Sequence, residues 1–464
     1  MLDDDRSVAT VANQPQPLRE VDVRGLPPVE GLDAFAQELA GEPREWARLA
    51  NEHPPLLHGQ TVEFHPAWDA LLALGRREKL HRPASSYVER AAKFVALAQV
   101  EQGVGCPLSM THAAHFVLGD VPDGWLVGMS MTERQGGSDV RANTMEARPS
   151  GDGLATLQGE KWFCSAPMSD AFLVLAQAPA GLSCYLVERR DGFFVERLKP
   201  KLGNRSNASA EIRLEGAPGT LVGEEGRGVQ AIIEMVVHTR LDCVLGSAAL
   251  QREAVAQAHH WCRGRSVFGK LLVDQPLMQN VLTDLRVEVE ASTVSAFRLA
   301  RAFDEDDAVR RLLTAVLKYW VCKRTPAVVA EALECIGGNG YVEDASDLPR
   351  LYRESPLNAI WEGSSNVQCL DVLRTLRREP DLAEAFLAEL SDRDRPAVER
   401  ALAGADEGDA RRLVERMAVA LQGTLLDEHD EAVAAAFRAR EPFGAFGTLP
   451  PGEIRNGLAR RMSY

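Results

Sequence analysis

Apolar positions along the chain follow two different spacings. From Gly31 to about Gly119 they recur every three or four residues, as in Leu32, Phe35 and Leu39, which is the spacing of an amphipathic helix. From Gly124 to about Gly228 the apolar runs are short and bounded by turn residues, which predicts strands. The helical spacing then returns over 229–264, 275–304 and 308–336, with a further helix starting near Ser365.

This order predicts a mainly α protein with a central β-barrel domain, followed by a four-helix bundle and a C-terminal helical extension. The tetrapeptide Ser150-Gly151-Asp152-Gly153 predicts a β-hairpin inside the β region. The predicted boundaries are an N-terminal arm at 1–30, a helical domain at 31–123, the β-barrel at 124–228, the bundle at 229–380 and the extension at 381–464. No Gly-x-Gly-x-x-Gly follows a strand, so a dinucleotide would have to be bound without a Rossmann fold.

Composition narrows the class of protein. The chain has 464 residues, a formal net charge of -15 and eight cysteines that form no Cys-x-x-Cys pair, which predicts a cytoplasmic protein with reduced thiols. The acidic N-terminus and the lack of a long apolar run lead us to expect neither a secretory signal nor a membrane span. The pairs His112/His115 and His259/His260 lack nearby cysteines or carboxylates at metal-ligand spacing, and no metal site is predicted.

The string Met131-Thr132-Glu133-Arg134-Gln135-Gly136-Gly137-Ser138-Asp139 is the first candidate for ligand binding. Two adjacent glycines let backbone N–H groups approach an anionic or planar ligand, and Thr132 and Ser138 add hydroxyl groups. An ordinary β-turn explains the string equally well when it is taken alone.

A second string, Gly159-Glu160-Lys161-Trp162-Phe163-Cys164-Ser165, predicts a strand on which Phe163 and Ser165 share a face. A ring there could stack on a flavin and a hydroxyl could hydrogen-bond its N5 edge. The simpler explanation is an aromatic pair in the core.

The third string is Leu357-Asn358-Ala359-Ile360-Trp361-Glu362-Gly363-Ser364-Ser365-Asn366. A carboxylate among bulky apolar residues has its pKa raised by desolvation, which suits a base that takes a proton from carbon. The alternative is a first-turn glutamate stabilised by the helix dipole.

Together and in this order, the three strings resemble the acyl-CoA dehydrogenase family, from about residue 30 to 380. The AidB-type alkylation-response flavoproteins are the nearest subgroup. This similarity also depends on Arg48-Leu49-Ala50-Asn51, Phe64-His65-Pro66-Ala67-Trp68, Lys201-Leu202-Gly203-Asn204-Arg205-Ser206-Asn207-Ala208 and Cys369-Leu370-Asp371-Val372-Leu373-Arg374.

The resemblance implies the acyl-CoA dehydrogenase fold, FAD as cofactor and Glu362 as the catalytic base that removes the α-proton of a thioester while hydride goes to flavin N5. It implies a homodimer or homotetramer, because the cofactor is shared between subunits, and an electron-transfer flavoprotein as a candidate electron acceptor. The residues that it assigns to FAD binding are Met131, Thr132, Gly137, Ser138, Phe163, Cys164, Ser165, Arg265, Phe268, Gly337, Gly338, Ser364 and Asn366.

The chain departs from the usual family pattern around its substrate pocket. Trp361 replaces a tyrosine, Arg374 adds a cation if it points inward, and Arg240 follows Thr239 at the position where some members place their base. These three pocket residues, Trp361, Arg374 and Arg240, suit an apolar acyl chain poorly. We therefore expect an atypical acyl-CoA or a related substrate.

AidB-like proteins are also associated with double-stranded DNA through a basic C-terminal domain, so the alternative function is a DNA-associated alkylation-response flavoprotein with little dehydrogenase turnover. Residues 382–464 of this chain contain 11 arginines, no lysine and 15 acidic residues. Phosphate binding requires clustered cations, and this excess of four acids disfavours DNA as a partner. A flavin oxidase or monooxygenase acting on a nitrogen-bearing substrate is a third possibility.

Overall fold

The computed structural model describes Pro15 and residues 18–440. The chain divides into two compact units. The first contains the described residues before Gln37, Val244–Ala359 and the described residues from Gln368 onward; the second contains Gln37–Cys243 and Ile360–Val367. Glu362 therefore belongs to the second unit, although it follows the first unit's long helices in the sequence.

Helices come first, as the spacing of apolar residues predicts. Their bounds are α1 Leu32–Leu39, α2 Glu42–Glu52, α3 Pro66–Arg77, α4 Tyr87–Val100 and α5 Gly105–Leu118, with a short hairpin of β1 Leu56–His58 and β2 Thr61–Glu63 between α2 and α3. Ser86 caps α4 by accepting from the Glu89 N–H, which satisfies one of the unpaired donors at a helix start. α5 is buried over most of its length, so it forms part of the second unit's core.

The β region forms one sheet of seven strands within the described residues. The strands are β3 Val127–Ser130, β4 Glu146–Gly151, β5 Leu154–Ser165, β6 Ala171–Ala178, β7 Gly181–Glu188, β8 Phe193–Leu198 and β9 Ser209–Val222. The neighbour order runs β6-β4-β5-β9-β7, and β7 pairs with β6 again. The pairing thus returns to its starting strand, as the predicted barrel requires. Its interior includes Leu157, Phe172, Tyr185 and Leu214.

Two local features of this sheet follow from the sequence. Asp152 and Gly153 both have positive φ in the β4–β5 turn, so the predicted hairpin is confirmed. In β5 the pairing with β9 shifts between Lys161 and Cys164. This bulge places Trp162 and Phe163 opposite a single residue of β9 and moves both rings off the buried face.

The long helices and their successors belong mainly to the first unit. They are α6 Gly228–Gly264, α7 Pro276–Asp304, α8 Arg310–Ile336, α9 Leu348–Glu354, α10 Ser365–Arg378, α11 Asp381–Ala388, α12 Arg395–Leu402, α13 Ala410–His429 and α14 Glu431–Ala439, with a small hairpin of β10 Ser266–Val267 and β11 Lys270–Leu271 after α6. Leu250, Leu285 and Val328 are fully buried in one core cluster. Side chains of α6, α7 and α8 thus pack together, as in a bundle.

The first three bundle helices begin and end within two residues of their predicted bounds, and the fourth begins at Ser365 as predicted. The domain boundaries themselves stay predictions. Most of the predicted N-terminal arm and the Gly/Pro-rich stretch from Pro442 to Gly452 lie outside the described residues. No helix in the described part of the chain is long and apolar enough to cross a membrane.

Candidate functional site

Glu362 has an unusual backbone. Its φ is +56°, and Gly363 after it has φ +95°. A non-glycine residue in the left-handed region costs about 1–2 kcal/mol, and such residues concentrate at functional sites. Arg240 Nε donates to the Glu362 carbonyl oxygen at 2.9 Å, which helps to hold the peptide in this conformation.

The Glu362 carboxylate is held as well. Thr239 Oγ1 donates to Glu362 Oε2 at 2.8 Å, and the contact is partly buried. Thr239 and Arg240 are consecutive residues of α6, so one helix turn fixes both the side chain and the backbone of Glu362. A carboxylate held in this way is pre-oriented and only partly solvated, as a general base must be.

Trp361 connects this segment to the glycine loop. Its side chain packs against a core cluster that includes Met235 and Val236 of α6, and Met131 packs against the same cluster. The first and third strings of the sequence therefore border the same core cluster of the second unit.

Cys106, near the start of α5, borders the same place. Burial raises the pKa of its thiol to about 12; the charge of Lys201 lowers that pKa and the charge of Glu362 raises it further. Asn207 and Ser165 also approach this thiol. Cys106 is therefore a buried, protonated thiol and not a reactive nucleophile.

The glycine loop that follows β3 is tied to the aromatic strand. The Trp162 N–H donates to the Thr132 carbonyl oxygen at 2.8 Å. A Cβ on Gly137 would lie 2.5 Å from Thr132 Oγ1, so no larger residue fits there without displacing Thr132. Gly137 and Ser138 are exposed, which leaves the backbone and hydroxyl of this turn accessible to a ligand.

A buried ion pair under the loop fixes its position. Lys161 Nζ lies 2.8 Å from Glu133 Oε1, with side chains 0% and 6% exposed, and it also donates to the Leu175 carbonyl oxygen at 2.6 Å. The other Glu133 oxygen accepts from the Thr144 N–H at 2.6 Å. A fully bonded buried pair of this kind rigidifies its surroundings.

On β5 the residues alternate as the sequence predicts, once the bulge is included. Phe163 is 51% exposed and Cys164 is fully buried, while Ser165 is half-buried. The Lys199 Nζ lies 4.8 Å from the Phe163 ring centroid and 3.5 Å from that of Trp162. Phe163 and Ser165 can thus face a ligand, whereas the Cys164 side chain points into the sheet core.

Ser364 and Asn366 follow the base directly. Ser364 is half-buried and Asn366 is exposed at the start of α10. Arg374, further along that helix, is exposed.

In the first unit, the predicted cofactor contacts occupy two exposed turns. Phe268 is fully exposed and has φ +50° in the β10–β11 turn; an exposed aromatic residue with strained backbone is uncommon and typical of a binding loop. Gly337 has φ +72°, and added Cβ atoms on Gly337 or Gly338 would meet nothing within 4 Å. Arg265 is half-buried just before the first turn.

Cys106 and Lys201 had no predicted role, and Thr239 entered the prediction only as the residue before Arg240. Thr239 is in fact the hydrogen-bond donor to Glu362. Lys201 lies in the Lys201–Ala208 string, which had been used only to place the chain within a subgroup.

Several arginines in the described part of the C-terminal region are paired with carboxylates. Arg438 contacts Asp394 and Asp427, and Arg440 contacts Asp284 and Glu288. Among the described residues there is also no group of three or more potential metal ligands. Paired guanidinium groups are poorly suited to bind phosphate.

Three family models match the chain in succession: the AidB N-terminal domain over residues 16–130, the acyl-CoA dehydrogenase middle domain over 128–217 and the acyl-CoA dehydrogenase C-terminal domain over 226–377. The chain belongs to the acyl-CoA dehydrogenase family. Within it, the AidB-type N-terminal domain places the chain in the AidB subgroup.

Curated relatives support the same assignment. The protein AidB of Escherichia coli K12 is 43% identical, with 78% of this chain and 77% of the relative covered. Acyl-CoA dehydrogenase family member 11 of Caenorhabditis elegans is 30% identical, with 76% and 68% covered. The crystal structure of C. elegans ACDH-11 in complex with C11-CoA has a TM-score of 0.80 and 25% identity, and covers 96% of this chain and 90% of that one.

The site residues are chemically suited to the FAD that members of this family use. The half-exposed Phe163 ring offers a face to a planar ring. The exposed Gly137 and Ser138 offer backbone and hydroxyl groups beside it, in a turn too tight for a Cβ at Gly137. These groups of the second unit would hold the flavin ring.

Proposed function

We propose that the chain is an FAD-dependent oxidoreductase of the acyl-CoA dehydrogenase type, in which Glu362 removes the α-proton of an acyl thioester. The observation that carries this proposal is the strained, doubly held Glu362: φ +56°, a carboxylate bound by Thr239 and a carbonyl bound by Arg240. A structural glutamate needs no such restraint.

Each residue then has a distinct task. Glu362 accepts the α-proton, Thr239 orients its carboxylate, and Arg240 holds its peptide against relaxation. Trp361 and Met131 limit the pocket from the core side and exclude water. FAD, when bound, supplies the hydride acceptor, and Phe163 and Ser165 orient it.

The substrate class and the assembly follow from the family. The C. elegans relative is described in complex with C11-CoA, which supports an acyl-CoA or a related thioester as substrate here. Fully exposed Phe268 and Tyr341, which is 81% exposed, support a homodimer or homotetramer that covers them. An electron-transfer flavoprotein is the proposed acceptor, and the cytoplasm the proposed location.

Anaerobic reduction of the reconstituted flavoprotein tests this proposal. Purified protein is loaded with FAD and mixed with acyl-CoAs of different length and branching, and flavin bleaching near 450 nm is followed in wild type and Glu362→Gln. We expect both proteins to bind FAD equally and reduction to fall at least about 100-fold in the variant, the lower limit for loss of a general base. Bleaching at the wild-type rate in Glu362→Gln would contradict the assignment.

Glu379→Gln is the matched control, because Glu379 is an exposed glutamate beyond the end of α10. It should reduce at the wild-type rate. Equal loss in both variants would indicate a general effect of removing charge rather than loss of a base.

The DNA-associated alternative makes a different prediction. A protein of that function would bind duplex DNA with an affinity that falls steeply with salt. The paired C-terminal arginines argue against it, and we expect no retention on a duplex-DNA column at 150 mM salt. Salt-sensitive retention together with absent acyl-CoA reduction would favour the alternative.

A further inference from the structure

The turn of α6 that holds Glu362 also carries a buried histidine that the proposed mechanism does not use. His238 directly precedes Thr239 and Arg240 and is 4% exposed. Its Nδ1 lies 3.1 Å from the Tyr87 hydroxyl oxygen. Burial of a polar ring costs free energy unless the ring is hydrogen-bonded, so the Tyr87 hydroxyl is what makes this position of His238 favourable.

Four rings pack around this hydrogen bond. The ring cluster consists of Tyr87 at the start of α4, His112 and Phe116 of α5, and His238 of α6. Phe116 and Tyr87 stack with His238 at centroid distances of 3.9 and 5.8 Å, and His112 meets His238 and Phe116 edge-on at 5.8 and 5.3 Å. Rings in stacked and edge-to-face arrangements attract each other. The cluster thus fixes α6 against α4 and α5 at the residue before Thr239.

His112 keeps the α5 side of the ring cluster uncharged. Burial lowers the pKa of His112 well below its usual value, and the charge of Arg90 lowers it further. The ring is therefore neutral at pH 7, and its Nδ1, which lies 2.8 Å from the Arg82 carbonyl oxygen, carries the proton. A neutral ring can lie against His238 without repelling it.

A buried ion pair fixes α6 one turn further on. The Arg90 Nη1 and Nη2 donate to the two Asp242 carboxylate oxygens at 2.7 Å each, and these side chains are 2% and 3% exposed. His238 and Asp242 are four residues apart, so they lie on one face of the helix. The turn that carries Thr239 and Arg240 therefore lies between two contacts with α4.

We propose that His238, held by the Tyr87 hydroxyl, is a positioning residue of the Glu362 site. It keeps its turn of α6 in the place from which Thr239 reaches the Glu362 carboxylate and Arg240 reaches the Glu362 carbonyl. This inference rests on the proposed function for the role of Glu362 as base, and it adds the residues that set the geometry of that base.

The physical argument is that both bonds to Glu362 start from one helical turn. Thr239 Oγ1 and Arg240 Nε donate to Glu362 at 2.8 and 2.9 Å, and hydrogen bonds weaken steeply when distance and angle depart from these values. A small displacement of the turn weakens both bonds at once. Misplacement of a reacting group slows a reaction even when the changed residue does not touch the substrate.

Two substitutions of nearly equal size test the role of His238. His238→Leu removes the acceptor for the Tyr87 hydroxyl, whereas His238→Asn places an amide oxygen where Nδ1 lies; both remove the ring. The FAD-loaded proteins are saturated in D₂O with an acyl-CoA that reduces the wild-type flavin. Exchange of its α-proton is followed by NMR, and calorimetry gives its Kd.

We expect exchange to be about tenfold slower in His238→Leu, as loss of one hydrogen bond predicts, and to be largely restored in His238→Asn. The Kd values of the acyl-CoA and of FAD should be the same in all three proteins, because His238 acts on the base and not on binding. Exchange in His238→Leu at the wild-type rate, or exchange equally slow in both variants, would overturn the proposal.

Tyr87→Phe removes the other partner of the same hydrogen bond. It should slow exchange as much as His238→Leu, and the double variant should be no slower than either single one, because the two substitutions remove one shared interaction. The matched control is Tyr185→Phe, since Tyr185 is 1% exposed in the sheet interior, and it should exchange at the wild-type rate. Multiplied losses in the double variant, or equal losses in Tyr87→Phe and the control, would contradict the proposal.

The Thr239 methyl group reports the geometry without turnover. Its ¹³C-labelled NMR signal in the FAD-loaded protein, assigned by its absence in Thr239→Ser, should move in Glu362→Gln and in His238→Leu but not in His238→Asn or Tyr185→Phe. An unmoved signal in His238→Leu would overturn the positioning role. Absence of α-proton exchange in wild type with every acyl-CoA would instead contradict the proposed function, and the methyl signal would still decide the role of His238.

Discussion

Two polar regions of this protein differ in how completely their charged groups are paired and in how strained their backbone is. In the first unit, Asp22 accepts from Arg24 and lies 3.2 and 3.1 Å from Arg252 and Arg286, and Arg286 in turn binds Glu290 at 2.7 Å. Around Glu362 in the second unit, the backbone is strained, and hydrogen bonds from Thr239 and Arg240 hold the Glu362 carboxylate and carbonyl.

The difference separates polar groups that maintain the fold from groups placed for a ligand. In the saturated network every charge meets an opposite charge and the backbone is relaxed, so loss of one member costs stability. In the strained region the backbone is held in an unfavourable conformation. Replacing residues there should therefore reduce activity while changing the free energy of unfolding little.

The largest expected effect is in the saturated network. Asp22→Ala leaves Arg252 and Arg286 buried near each other without their shared carboxylate, and we expect it to lower the free energy of unfolding by about 3–5 kcal/mol. Urea unfolding followed by fluorescence measures this change. Glu362→Gln is the comparison, and an equal loss in both variants would remove the distinction between the two regions.

Acid should weaken the same network. Burial tends to raise the pKa of Glu290, but the hydrogen bond from His429 and the charges of Arg286 and Arg252 lower it to about 2. Because the unfolded state binds this proton more tightly, the stabilisation is complete above about pH 4.5 and is lost as pH falls towards 2. The expected loss is about 3 kcal/mol.

Melting curves between pH 7 and pH 3 check this dependence. The Tm of Glu290→Gln should be lower than that of wild type at pH 7, and the difference should shrink at pH 3. A Tm difference that stays constant over this range would mean that Glu290 titrates normally in the folded state.

Thr239→Val tests the orienting hydroxyl beside the base. The carboxylate of Glu362 loses the 2.8 Å hydrogen bond that fixes it, and we expect the rate of flavin reduction by acyl-CoA to fall about tenfold, as loss of one hydrogen bond to a charged group predicts. Thr239→Ser retains the hydroxyl and should restore most of the rate. Reduction that is as slow in Thr239→Ser as in Thr239→Val would contradict the role of the hydrogen bond, because the serine variant retains the hydroxyl.

Glu362→Gly should change the free energy of unfolding less than the substitutions of the saturated network do, and it should raise this free energy instead of lowering it. Glycine adopts φ of +56° without strain, so the free energy of unfolding should rise by about 1 kcal/mol while reduction by substrate is lost. A Tm below that of wild type would mean that contacts of the Glu362 side chain outweigh the strain of its backbone.

Sequence pattern predicted the order of helices and strands well, because each long helix repeats its apolar spacing over many turns. The β4–β5 hairpin was predictable too, because its turn residues Asp152 and Gly153 are adjacent in the sequence. The β5 bulge was not predictable, since the extra residue is defined only by pairing with β9.

The residues of the candidate site also divide into those that the sequence predicts and those that it does not. The base and the glycine loop could be found from motifs, because each motif is contiguous. Thr239 and Cys106 come from separate segments, and nothing in those segments indicates proximity to Glu362. The left-handed conformation of Glu362 is likewise a property of the fold, although Gly363 after it was a local sign of an unusual turn.

Exchange of the substrate's α-proton with solvent tests the role of Glu362 most directly, since it requires the base but no electron acceptor. An acyl-CoA that binds the FAD-loaded protein is incubated in D₂O, and loss of the α-proton signal is followed by NMR. We predict exchange in wild type and in Glu379→Gln, and none above the uncatalysed rate in Glu362→Gln. Exchange at the wild-type rate in Glu362→Gln would contradict the assignment of Glu362 as the base.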